Sequence, residues 1–246
     1  MSISAWKPAQ SSMMNFSVRG MMNKHQGKDK VVVVLGATGT GKSRLAIDLA
    51  TRFGAEVINS DKIQVYKGLD IVTNKVRNEE CRGVPHHLLG IIDPEMDFTV
   101  HDFVHHALLA ADAIVQKNRL PIIAGGSNSF IQGLVSDNTE FPSKYECCFL
   151  WMDVAIPVLH SYVSKRVDQM VDSGVGGGGR AIGVPEMDEF FRSEGLVDGE
   201  TRAKLLKAAI DKIKRNTCKL ACRQVEKILR TKGGIRVADP SVERHR

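Results

Sequence analysis

No stretch of this chain approaches the roughly 18 to 20 unbroken apolar residues that a membrane-spanning helix needs. The sequence therefore offers no candidate span, and no membrane partner is expected. Cysteines are scarce and poorly spaced for metal or redox motifs: Cys81, the adjacent Cys147 and Cys148, and Cys218 with Cys222 one helical turn apart, with no CxxC pair. An odd number spread through apolar segments points to reduced intracellular thiols packed in a core, not to a disulfide framework. A zinc site built from Cys218, Cys222 and a histidine is the alternative. No period of about 20 to 50 residues repeats, which excludes a solenoid or propeller. Acidic residues are missing altogether from the first 28 positions, which hold Lys7, Arg19, Lys24 and Lys28. That leader contributes four of the six net positive charges, so the body is only mildly basic and a nucleic-acid partner is not implied. Rich in Ser and Met, basic and without a continuous apolar core, the leader has transit-peptide traits. Organelle targeting, with the plastid as destination, is the expectation. The alternative is a plain N-terminal tail on a cytoplasmic protein.

What remains is a chain of 246 residues with 43% hydrophobic and 25% charged content, enough for one good-sized domain over 29–246 behind the leader at 1–28. "VVVVLG" (31–36) is a continuous apolar run of the kind found in a strand buried on both faces. Helical spacing follows from Lys42 to about Phe53. "AEVINS" (55–60), "HHLLGIID" (86–93), "LPIIAGG" (120–126) and "YECCFLWMDV" (145–154) read as further strands. Helices are predicted over "FTVHDFVHHALLAADAIVQKN" and "PVLHSYVSKRVDQMVDSG", and a long one runs from Glu200 to about Lys232, ending on Gly233 and Gly234. This alternation predicts an α/β fold: a P-loop NTPase-like, doubly wound parallel sheet flanked by helices, with a helical C-terminal segment. Four consecutive glycines, Gly176 to Gly179, read as a flexible linker inside the domain.

The chemistry concentrates in "LGATGTGKS" (35–43). Gly36, Gly39 and Gly41 let successive backbone N–H groups, with Ala37, Thr38 and Thr40 between them, point at one anion at the positive end of the next helix. Lys42 adds a mobile cation, and the Ser43 hydroxyl is placed to ligate Mg²⁺. Asp61, in "INSDKIQVY", follows the second strand. Ligands of open α/β sheets bind off the carboxyl ends of the strands, so Asp61 should face the same crevice as Lys42 and accept a proton or orient a nucleophile. A turn or helix cap is its bland alternative. Asp153, ending "FLWMD", fits either a carboxylate near a P-loop magnesium or a turn. Lys212, Lys219, Arg223, Lys227 and Arg230 recur at three- to four-residue spacing as one basic stripe. Such a stripe is usually a solvated face. Beside a P-loop, Lys219 and Arg223 become candidates for folding over leaving phosphates.

The chain resembles the isopentenyltransferases that prenylate adenine, which comprise tRNA dimethylallyltransferases and plant adenylate isopentenyltransferases of cytokinin synthesis. The resemblance rests on "GATGTGKS", "INSDKIQVYKGLDIVTNKV", "GVPHHLLGIIDP", "PIIAGGSNSFIQGL", "YECCFLWMDV", "RVDQMVDSG", "RAIGVPEMDEFF" and "NTCKLACRQVEKI", in order from residue 31 to about 230. "TNKV", "GVPHHLLG", "GGSNSF" and "YECCFLW" are closer to the plant adenylate type. The resemblance implies that the P-loop cradles dimethylallyl diphosphate and that ATP or ADP enters as acceptor through its adenine amine. It implies a catalytic Asp61, Thr38 near the bridging oxygen, Lys42 and Mg²⁺ on the diphosphate, and Arg166, Lys219 and Arg223 as further phosphate contacts, Lys219 toward the acceptor. Asn74 and Lys75 become weaker substrate contacts, and Ser127 and Asn128 candidates for a tunnel wall or a turn. A monomer is the default expectation. Relatives carry a helical segment where Gly176 to Gly179 and Arg180 stand, and the stretch after Ser136 is shorter here. The competing functions are tRNA adenosine prenylation, phosphorylation of a small metabolite, and nucleotide binding without catalysis.

Overall fold

The structure, a computed structural model, describes residues 27–68, 70, 73–171 and 185–232. Most of the basic leader, the glycine run and Arg180 lie outside the described residues.

Strand β1 (Asp29–Gly36) lies inside the sheet because its valines leave no face for water: Val31, Val33 and Val34 have no exposed surface. It pairs in parallel with β4 (Leu120–Ala124) on one side and β5 (Tyr145–Met152) on the other. β4 pairs with β2 (Ala55–Asn59), and β2 with β3 (His86–His87), giving the all-parallel order β3-β2-β4-β1-β5. The predicted third strand shrinks to its two histidines because Leu88 and Gly90 adopt positive φ, which breaks the extended run. Ile92 keeps an isolated bridge to Tyr66.

Alternate β1 side chains feed two cores. Val31, Val33 and Leu35 pack with Phe103, Ala107 and Ala111 of helix α2 (Val100–Gln116) and with Phe130 and Leu134 of α3 (Asn128–Val135). Val34 packs on the other face with Ala46, Ile47 and Ala50 of α1 (Lys42–Phe53). α2 starts sharply because Thr99 and Asp102 form a capping box. α1 stops at Gly54, whose left-handed φ returns its N–H to Ala50 O. The connection from β1 runs over one face toward β2, whereas that from β4 runs over the other toward β5. The reversal opens a crevice between the carboxyl ends of β1 and β4.

Two helices close the open end of the sheet. α5 (Ile156–Met170) and α7 (Gly199–Lys232) meet the P-loop through a cluster of Ala37, Leu159, Val163 and Ala221, into which Cys218 also packs. The short helices α4 (Glu140–Lys144) and α6 (Asp188–Arg192), with a 3₁₀ turn at Pro185–Met187, complete the described elements; Met187 and Phe190 form a separate small core with Ala209 of α7. All five cysteines are free. Among the described residues no helix is long and apolar enough to cross a membrane.

Candidate active site

The loop between β1 and α1 is tightly folded. A Cβ on Gly36 would stand 2.6 Å from Thr40 Oγ1, and one on Gly39 (φ +81°) 2.9 Å from Val163 Cγ2. Gly41 (φ +88°) turns the chain into α1. Gly36, Ala37 and Thr40 form the loop's buried underside, and Thr40 Oγ1 donates to Ala37 O at 2.9 Å. Lys42 is buried, and its ammonium donates to the same carbonyl at 2.7 Å. Loss of water pushes the Lys42 pKa down to about 8; the Asp61 carboxylate pulls it up, and the Arg166 guanidinium pushes it further down.

Asp61 reaches this loop from β2, across β4. The two exits touch: Ser60 N donates to Ala124 O at 2.9 Å, and Ser127 N to Ser60 O at 3.1 Å. A Cβ on Gly125 would overlap the Ser60 carbonyl carbon and lie 2.5 Å from Asp61 N, so this crossing demands glycine. Buried Asn59 accepts from Asp61 N at 3.2 Å and donates to Leu88 O at 2.9 Å, fixing the turn from below. Asp61 Oδ1 accepts from Ile63 N at 3.0 Å, a turn-capping bond, while Oδ2 faces Gly126, 3.0 Å from where a Cβ would stand. One oxygen thus caps the turn, and the residue also lines the cavity beside the P-loop.

α5 and α7 supply the roof. Arg166 Nη2 donates to Thr38 Oγ1 at 3.0 Å, and its Nε is buried without a hydrogen-bond partner among the described residues. Burial lowers the Arg166 pKa. Gln224, which sequence reasoning missed, accepts from Thr38 N at 2.7 Å and donates to Gly126 O at 2.9 Å. Charge periodicity draws the eye to Lys219 and Arg223, yet each helical residue turns about 100° from its neighbour. The stripe therefore faces water while Gln224 and Ala221 face the sheet.

Thr38, Gly39, Gly41, Lys42, Ser43, Asp61, Asn74, Lys75 and Arg166, all anticipated, line one cavity of about 1050 Å³. Lys75 donates to the Tyr66 and Gly68 carbonyls and pairs with Asp70, bracing the cavity wall. Lys219 and Arg223 stand exposed on α7, and Asp153 is exposed one residue past β5; none of the three lines the cavity. Ser127 and Asn128 open α3 and act as supports: Ser127 Oγ accepts from Lys62 N at 2.8 Å, and Asn128 Nδ2 donates to Gln224 O at 3.1 Å.

The fold is similar to that of a solved eukaryotic dimethylallyltransferase acting on tRNA, with a TM-score of 0.68 at 23% identity, covering 82% of this chain and 70% of that one. Residues 64–146 match the family model described as IPP transferase. Over 221 residues the chain is 62% identical to adenylate isopentenyltransferase 5, chloroplastic, of Arabidopsis thaliana, covering 82% of this chain and 67% of that protein. The chain belongs to the adenylate isopentenyltransferase family. A second relative, adenylate isopentenyltransferase 7, mitochondrial, of the same plant, is 53% identical over 82% of this chain and 67% of its own length. In isopentenyltransferase terms, the segment matched by the family model begins at Gln64 in the cavity wall and ends within β5, so the P-loop and Asp61 lie just before it.

Proposed function

We propose that this protein transfers the dimethylallyl group of dimethylallyl diphosphate to the exocyclic amine of adenine in ATP or ADP, releasing pyrophosphate, the first step of cytokinin synthesis. The observation that carries this is the sharing of one cavity by Asp61 and the phosphate-binding set of Thr38, Lys42, Ser43 and Arg166. In the transfer the allylic C1–O bond breaks and its electron pair leaves with pyrophosphate. The adenine nitrogen forms the new C–N bond, and its proton passes to Asp61. Charge develops on the departing oxygen, so preorganised donors there lower the barrier most. Loop amides, the Lys42 ammonium and the Arg166 guanidinium supply them, and the unpartnered Arg166 Nε adds a donor suited to phosphate oxygen. Thr38, whose hydroxyl accepts from Arg166, would stand beside the bridging oxygen.

Mg²⁺ fits the donor set. Magnesium bound with phosphates takes only one or two protein oxygens. The exposed Ser43 hydroxyl lines the cavity at the start of α1, and no group of three or more His, Cys, Asp or Glu suited to a metal cage occurs among the described residues. Ser43 would hold the ion, which would neutralise diphosphate charge. The relatives named chloroplastic, together with the acid-free leader, support a plastid destination, which a fluorescent fusion of the full chain tests.

Acceptor choice is tested by incubating the protein with dimethylallyl diphosphate, Mg²⁺ and ATP, ADP, AMP or tRNA separately, and weighing the products. Prenylated ATP or ADP with equimolar pyrophosphate is expected. Product on tRNA alone, or ADP made from ATP without prenyl transfer, would replace this assignment by tRNA prenylation or by a kinase.

A further inference from the structure

We propose that Gln224 is a positioning residue that sets the separation between the diphosphate cradle and Asp61. Its carboxamide joins the two walls of the cavity: Oε1 accepts from Thr38 N at 2.7 Å in the P-loop, and Nε2 donates to Gly126 O at 2.9 Å after β4. Gly126 is also where Asp61 arrives. A point at the Gly126 Cβ position lies 2.9 Å from Gln224 Nε2 and 3.0 Å from Asp61 Oδ2. The backbone of Gln224 is held in turn, its carbonyl accepting from Asn128 Nδ2 at 3.1 Å. A carboxamide suits this place because it accepts and donates at once on one rigid plane. A carboxylate cannot donate, and an ammonium or guanidinium cannot accept. Thr38 matters doubly, since its hydroxyl also receives the Arg166 guanidinium. Releasing its amide from α7 would let the loop's leading edge, and Arg166 with it, drift relative to the carboxylate.

The inference rests on the prenyl-transfer reading and concerns geometry, not diphosphate affinity. Misplacement by about 1 Å at a reacting centre costs up to about a hundredfold in rate. Lys42, Ser43 and the amides of Gly39 and Gly41, which line the cavity, remain to hold the diphosphate without Gln224. The test compares wild type with Gln224→Glu, which keeps size and acceptor but loses the donor, and Gln224→Met, which keeps size and loses both. The kcat for prenyl transfer to ATP should fall about tenfold or more in each, and further in Gln224→Met. The dissociation constant of dimethylallyl diphosphate with Mg²⁺ should stay within about threefold of wild type. Variants with wild-type kcat, or with affinity lost in step with kcat, would overturn the proposal, because a residue that merely fastens α7 gives one or the other. If Gln224→Met does not fold, Gln224→Glu alone decides between these outcomes. A wild-type protein that prenylates no adenine nucleotide would instead overturn the transferase assignment and this role together, so the two failures are told apart by the wild-type lane.

Discussion

Lys42 illustrates how a single residue couples burial to binding. The turn at Gly41 brings the ammonium beneath the loop, within 2.7 Å of Ala37 O, where lost hydration lowers its pKa to about 8 despite the nearby Asp61 carboxylate. A diphosphate in the loop favours the charged amine, so its pKa rises on binding. Below pH 8 the amine is already protonated and affinity is full. Above it, binding must take up a proton, and affinity falls as pH rises, approaching tenfold per unit for one linked proton. Titrating dimethylallyl diphosphate from pH 7 to 9.5 should show this loss, and Lys42→Met should bind weakly with the dependence abolished. A flat wild-type profile would mean the Lys42 amine does not contact the diphosphate.

At the scale of elements, the site depends on two strand exits lying almost against each other. β2 delivers Asp61 over the end of β4, and contact is possible only because residue 125 has no side chain. Gly125→Ala forces a Cβ into the Ser60 backbone, an overpacking that costs about 1–3 kcal/mol. The relief available is to push β2's exit away from the P-loop. Chemical denaturation should show the lost stability, and turnover of the folded fraction should fall as well; unchanged turnover would show that the crossing does not position Asp61. This contact was not legible in the sequence. "AGGSNS" reads as a turn, and nothing in it says which backbone lies above. The strands themselves were legible because a parallel sheet buried on both faces needs continuous apolar runs, as Val31 to Leu35 and Leu120 to Ala124 supply. The short helix α3 was missed because Ser127 and Asn128 look like turn formers, and an N-terminal helix boundary uses the same residues.

Across the whole molecule, the cavity assembles from parts far apart in the chain: a loop at 36–43, a turn at 59–63, a helix around Arg166 and another around Gln224. Motif and strand order located the first two. The roof was harder to read, because the features of α7 that stand out, its cations, face solvent, whereas the residue that touches the loop is a neutral amide. The opposite end of β2 shows the same limit: buried Glu56 is held by His87, Lys117 and Arg119, a cluster with no local signature. The account stands on the claim that Asp61 takes the adenine amine's proton while the loop holds the diphosphate independently. Single-turnover transfer by Asp61→Asn, with dimethylallyl diphosphate binding measured on the same preparation, separates the two. We predict transfer slowed by about a hundredfold or more with diphosphate affinity within about threefold of wild type, since Lys42, Ser43 and the loop amides remain. Transfer at the wild-type rate would contradict the account.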